Sequence, residues 1–164
     1  MSESPRLTYR KPAPEDLDFF RAYLCDPVLT RFLPNEGPYP EEMIVAYLQS
    51  RIAHWETHGF GSYLLDLDSK TVGYCGLEFV RDTPYIDLRY GLLQAVWGRG
   101  LALEAARACL AEGFGSGLVR TLYGAAMPEN KASIAVLKKI GMKPCDVDLY
   151  GDEVVHLCVS ANEA

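Results

Sequence analysis

The sequence predicts an α+β fold in three layers: a mixed, mostly antiparallel sheet of about seven strands flanked by about four helices. The first observation is the hydrophobic period, which alternates between strand and helix spacing in the order strand, two helices, three strands, helix, strand, helix, two strands. The second is the strand-helix-strand passage after residue 85, which demands one parallel pair inside the antiparallel sheet, splayed so that a ligand can enter. The third is continuity. No repeat, linker or composition shift divides the 164 residues, so 1–164 reads as a single domain.

A strand near Leu7 to Arg10 comes first, then a helix from Glu15 to Leu24 opened by Pro14 and its acidic first turn and ended before Pro27. Asn35 to Pro40 is rich in turn formers. After it Ile44, Leu48, Ile52 and Trp55 recur at helical spacing until Gly59 closes the second helix. Strands follow at Gly61 to Asp66, Thr71 to Val80 and Tyr85 to Leu93, with turns at Asp68-Ser69-Lys70 and Asp82-Thr83-Pro84. From Gly98 a third helix carries the stripe Leu103, Ala106, Leu110 and Phe114 and ends at Gly115-Ser116-Gly117. A strand at Arg120 to Ala126, a helix from Glu129 to Ile140 ended by Gly141, and a hairpin from Met142 to Ser160 around Tyr150-Gly151-Asp152 complete the chain.

Composition narrows the function. Apolar residues make up 49% and charged residues 23%, so the chain is neither disordered nor of low complexity. A net charge of -6 argues against nucleic acid as a partner, because phosphate-backbone affinity needs a basic surface. No run reaches the roughly 18 apolar residues of a membrane span, and residues 1–12 lack the apolar core of a signal peptide. A cytoplasmic address with no membrane partner is expected. The five cysteines are odd in number and set among apolar neighbours, which suits reduced thiols in a core, and none has metal-ligand spacing. His54 and His58, four apart on the second helix, read as solvated residues because no third ligand accompanies them. His156 reads as a sheet residue.

The most informative segment is Val96-Trp97-Gly98-Arg99-Gly100-Leu101-Ala102, where glycines 98 and 100 lie between a strand and a helix start. Small residues there let backbone N–H groups close on an anion at the positive end of the helix dipole, with Arg99 at the rim. No Gly-Lys-Ser/Thr follows, so it is not a Walker loop. Leu103 stands where a dinucleotide fingerprint needs a third small residue. By its own physics the loop is an anion-binding turn or, equally, a tight turn with no ligand.

Residues Trp97 to Ala105 resemble the acetyl-CoA-binding motif of the GNAT superfamily of N-acetyltransferases. Pro128-Glu129-Asn130-Lys131-Ala132-Ser133, continuing through Leu137 to Met142, resembles that family's later motif. Asp26 to Pro34 is similar to the early segment of its Rim-type branch, which includes ribosomal-protein N-terminal acetyltransferases. The resemblance implies that backbone groups near Leu92, Leu93 and Val96 hold the pantetheine and the acetyl carbonyl. It implies that the amides of Gly98, Arg99, Gly100, Leu101 and Ala102 hold the pyrophosphate of acetyl-CoA as cosubstrate. Asn130 would bond the pantetheine, unless it only caps its helix, and Ser133 would lie near the sulfur. Two positions depart from the family pattern. Trp97, where Arg or Gln is common, is expected to act as a wedge. Leu137 stands where many members carry the Tyr that protonates the departing thiolate, which makes Ser133 the candidate donor.

A primary amine must lose its proton to attack a thioester, and a free alkyl ammonium titrates at about 10. In the strand Ile86 to Leu92, alternation puts Asp87 and Arg89 on one face and Ile86, Leu88, Tyr90 and Leu92 on the other. Asp87 matches a position that is commonly acidic in the Rim branch and is the candidate general base, with pairing to Arg89 as the alternative. Phe32, Tyr39, Trp55 and Tyr150 are candidates to line the acceptor pocket. The expected activity is acetyl transfer from acetyl-CoA to a primary amine, a protein N-terminus or small molecule, by direct attack in a ternary complex. A non-catalytic acyl-CoA-binding sensor on the same fold is the alternative, and the resemblance also admits a homodimer.

Overall fold

The computed structural model describes residues 4–35 and 37–163. Its elements are β1 (Thr8–Arg10), α1 (Leu17–Leu24), α2 (Glu41–His58), β2 (Ser62–Leu67), β3 (Lys70–Phe79), β4 (Ile86–Leu92), α3 (Leu101–Gly115), β5 (Thr121–Ala126), α4 (Lys131–Lys139), β6 (Lys143–Pro144) and β7 (Val155–Ser160). Short 3-10 turns at Pro14–Asp16 and Gln94–Val96 lead toward α1 and α3. The seven strands form one sheet in the order β1-β2-β3-β4-β5-β7-β6. Glu36, in the turn-rich segment before α2, lies outside the described residues.

Local chemistry sets the boundaries. Gly59 closes α2 in the left-handed region at φ 75° and donates its N–H to the Trp55 carbonyl. Leu67 pairs with Lys70 across a two-residue turn in which Asp68 and Ser69 both take positive φ, 50° and 62°. That geometry matches the twist of the flanking strands, and aspartate tolerates it.

β1 to β4 pair antiparallel in sequence, and β5 pairs antiparallel with β7. β4 and β5 are the parallel pair, in register at Asp87 and Tyr123. Among the described residues no further register pair joins the two strands, so the last residues of β4 have no ladder partner in β5. The expected mixed fold with a splayed parallel pair is the one observed.

Each face of the sheet carries its own core. Leu65, Cys75, Leu88, Leu92 and Leu122 face α3, while Leu64 and Tyr74 face α1 and α2 through Phe20, Tyr23, Leu24 and Ile44. The deepest line of α3 is Leu101, Ala105 and Cys109, no more than 1% exposed, whereas Leu103 and Phe114 of the expected stripe are half-buried. Small side chains draw the helix against the sheet there. A Cβ on Gly113 would lie 2.6 Å from a Leu77 methyl.

Two expectations need correction. The C-terminal hairpin is mostly loop, because β6 spans two residues and ends at Pro144, which has no N–H to donate. His54 is half-buried rather than solvated, its Nδ1 donating to the Phe60 carbonyl at 2.7 Å and its Nε2 accepting from the Phe79 N–H at 3.1 Å. All five cysteines are free thiols. Among the described residues no helix is long and apolar enough to cross a membrane.

Candidate active site

The glycine loop leaves β4 through the 3-10 turn and enters α3. Gly98 and Gly100 sit in the left-handed region at φ 73° and 75°, and Gly100 is the N-cap of α3 with no side-chain cap. Residues 97–100 are exposed and no side chain caps α3, so its first amides are left without a side-chain acceptor at the cap. That is what an anion cradle requires. Arg6, which no local motif singles out, braces it: Nη1 donates to the Arg99 carbonyl at 2.7 Å and Nε pairs with Glu104 at 2.7 Å. Ser4 adds a 2.6 Å bond to the same carboxylate. Burial pulls Glu104 up, but the bonds from Ser4 and Arg6 outweigh it and hold the carboxyl below its usual range. Its charge, one turn into the helix, is thereby offset beside the anion site.

Trp97 is 51% exposed, and its indole Nε1 donates to the Leu92 carbonyl at 2.8 Å. The Leu93 N–H goes to the Val72 carbonyl and the Val96 N–H to the Leu93 carbonyl, at 2.8 and 3.1 Å. This segment therefore offers a ligand the second lone pairs of its carbonyls rather than the Leu93 and Val96 amides.

Across the opening stands α4. Asn130 is its N-cap, with Oδ1 accepting from the Ser133 N–H at 3.2 Å, so the amide Nδ2 is the group left for a ligand. Ser133 is half-buried, and its Oγ lies 2.7 Å from the Tyr90 hydroxyl. Sequence reasoning placed Tyr90 on this face but gave it no role. Its contact crosses 43 residues of chain, which no local pattern reveals. Leu137 is 1% exposed and belongs to the core.

The opposite face of β4 carries charge. Asp87, 3% exposed, accepts from Arg89 Nε at 2.9 Å and from the Tyr150 hydroxyl. Arg89 also pairs with Glu78 at 2.8 Å, and Arg51 of α2 approaches Glu78 at 3.9 Å. Burial pushes the Asp87 carboxyl above its usual range, against the opposing pull of Arg89 and Tyr150. Tyr150 is presented by the loop before β7, where His156 Nε2 accepts the N–H groups of Leu149 and Tyr150 at 3.1 and 3.3 Å.

Of the four aromatic residues expected around an acceptor, the structure brings Tyr150 to Asp87. Tyr39 is 8% exposed in the core beneath α1 and α2, and Phe32 is half-buried beside the Arg31 guanidinium. Trp55 turns to the α3 side, its ring 4.8 Å from that of Tyr63 and its Nε1 on the Ser62 carbonyl. It packs against the core on the α3 face of the sheet, the face opposite to Asp87.

Residues 6–143 match the Acetyltransferase (GNAT) domain. The uncharacterized N-acetyltransferase p20 of Bacillus licheniformis is 25% identical over 143 residues, 84% of this chain and 79% of that protein. An acetyltransferase from Agrobacterium tumefaciens superposes with a TM-score of 0.87 at 26% identity, over 96% of this chain and 92% of that one. RimL, a ribosomal alpha-N-protein acetyltransferase solved in complex with coenzyme A, shares the fold with a TM-score of 0.78 at 18% identity, over 96% and 95% of the two chains.

Proposed function

The chain belongs to the GNAT acetyltransferase family, and from that premise we propose that it transfers the acetyl group of acetyl-CoA to a primary amine, as an N-acetyltransferase of Rim-like type. One observation carries the reading. Where β4 parts from β5, β4 holds a buried carboxylate, Asp87, on one face and, through Tyr90, the Ser133 hydroxyl on the other, with the glycine loop at its end. A base and a hydrogen-bond donor on opposite sides of one opening suit an amine that arrives from one side and a thiolate that leaves toward the other.

Acetyl-CoA supplies the thioester as cosubstrate. Amides of Gly98, Arg99, Gly100, Leu101 and Ala102 bind its pyrophosphate, and Asn130 Nδ2 with the carbonyls of Leu92 and Leu93 and the turn at Val96 holds the pantetheine. Asp87 takes the ammonium proton, directly or through water, once Tyr150 yields its place on the carboxylate. The raised pKa of Asp87 suits that task, since a base nearer the working pH gives up less driving force. As the C–N bond forms and the C–S bond breaks, Ser133 donates a hydrogen bond to the sulfur. The whole of 1–164 acts as one catalytic domain in this reading. Its five free thiols suit a cytoplasmic setting.

The test is thiol release. Purified protein with acetyl-CoA is offered polyamines, aminoglycosides and peptides with free N-termini, and at least one class raises CoA release above background. Binding of acetyl-CoA with no release across the panel would favour a sensor on the same fold.

A further inference from the structure

Tyr90 reaches across the opening to α4, its hydroxyl 2.7 Å from Ser133 Oγ and 3.1 Å from the Ser133 carbonyl oxygen. Each hydroxyl has one proton, and the carbonyl only accepts. Two arrangements satisfy this count. In the first, Tyr90 donates to the carbonyl and Ser133 donates to Tyr90. In the second, Tyr90 donates to Ser133 Oγ, which frees the serine proton to point out of the pair.

We propose that Tyr90 is the positioning residue that lets Ser133 pass from the first arrangement to the second as negative charge develops on the departing CoA sulfur. The proposal rests on the reading that the sulfur of acetyl-CoA lies beside Ser133. Before charge develops, Ser133 is satisfied internally. Afterwards it donates to the thiolate while Tyr90 keeps the Ser133 oxygen supplied with a donor, so the interaction is made late and favours the transition state over the bound substrate.

The surroundings suit a donor that keeps its proton. Burial pushes the Tyr90 phenol up to about 12. A thiol titrates at about 8.5, so proton transfer from Tyr90 to the thiolate runs uphill. Tyr90 lends a hydrogen bond, and the thiolate takes its proton later from solvent. The titratable group facing Tyr90 from β3 is its cross-strand partner Cys75, held neutral because burial pushes its thiol well up. The α4 charges Lys131, Lys138 and Lys139 are exposed. Leu137, at the α4 position where many members of the family carry a Tyr, points its methyls at Gly124, the nearer 2.8 Å from where a Cβ would stand.

Calorimetric titration with CoA and with desulfo-CoA, from neutral pH up through the thiol range, tests this without an acceptor. Donation to the thiolate makes wild-type affinity for CoA rise over that for desulfo-CoA by about tenfold as the thiol ionises. Tyr90→Phe and Ser133→Ala each lose most of that gain with desulfo-CoA affinity intact, and the double variant loses no more than Ser133→Ala alone. If Ser133→Ala loses the gain and Tyr90→Phe keeps it, the role of Tyr90 is wrong and the site reading stands. If Tyr90→Phe weakens CoA and desulfo-CoA alike, its part is merely structural. A wild-type protein with no gain overturns the placement of the sulfur beside Ser133 and the inference with it.

Discussion

Replacing Gly100 by asparagine and, separately, by aspartate isolates the electrostatic part of the anion cradle. At φ 75° any side chain costs about 1 kcal/mol of backbone strain, but the strain is present in free and bound protein alike and so lowers stability rather than affinity. The space is open, since the nearest atom to an added Cβ is Arg6 Nη2 at 3.7 Å. Asparagine and aspartate have one shape and tolerate this conformation equally, so the difference between them is the charge. A carboxylate about 4 Å from a phosphate oxygen costs from about 1 kcal/mol in water to about 4 kcal/mol near a protein surface. The loop is exposed and Arg6 is close, which favours the lower half of that range. The expected result is acetyl-CoA binding roughly 10- to 100-fold weaker for Gly100→Asp than for Gly100→Asn by calorimetry at low salt. The ratio should shrink as salt is raised. Equal affinities at low salt would refute the placement of the pyrophosphate on this loop.

Asp87→Asn leaves acetyl-CoA affinity unchanged and lowers turnover by about 100-fold or more. In the wild type, activity rises with pH as Asp87 ionises, at a pH above the usual carboxylate range because burial raises it. The variant lacks that limb, and a pH-rate profile that keeps it would reject Asp87 as the base. Glu78 is raised by burial but lowered further by Arg51 and Arg89, ending below its usual range. Its stabilisation is therefore complete above the unfolded value of about 4.3 and is lost as pH falls through the folded one. Arg51→Leu removes one of its two guanidinium partners and costs about 2–3 kcal/mol in urea unfolding, with acid unfolding moved to higher pH. A loss below about 0.5 kcal/mol would contradict the pairing. Gly91→Ala forces a Cβ to within 2.1 Å of the Tyr23 hydroxyl and destabilises by about 2–3 kcal/mol; a neutral result would mean that α1 stands farther from β4.

What was legible in the sequence was whatever short-range pattern encodes. The period of the strands, the glycine at the end of α2, the Gly98 and Gly100 turn and the Asn130 cap are all decided within a few residues of themselves. The alternation that sets Asp87 and Arg89 on one face of β4 is equally local. The rest depends on what the fold brings together. Arg6 on the glycine loop, Tyr90 on Ser133 and Tyr150 on Asp87 span 93, 43 and 63 residues of chain. For Trp55, helical spacing says which face of α2 it occupies and nothing about which side of the sheet that face meets, and it lies on the α3 side. Of the expected α3 stripe, Ala106 and Leu110 are buried while Leu103 and Phe114 pack half-buried against the core, because close approach to the sheet selects small residues such as Ala105, Cys109 and Gly113 over the most hydrophobic ones.

The most direct test of acetyl transfer by direct attack is mass spectrometry of one reaction mixture holding the protein, acetyl-CoA and the best acceptor of the amine panel. The account predicts an amine one acetyl group heavier, in amount equal to the CoA released, and a protein of unchanged mass whether or not acceptor is present. An acetylated protein that forms without acceptor and discharges when it is added would contradict direct attack, and unmodified amines beside bound acetyl-CoA would contradict catalysis itself.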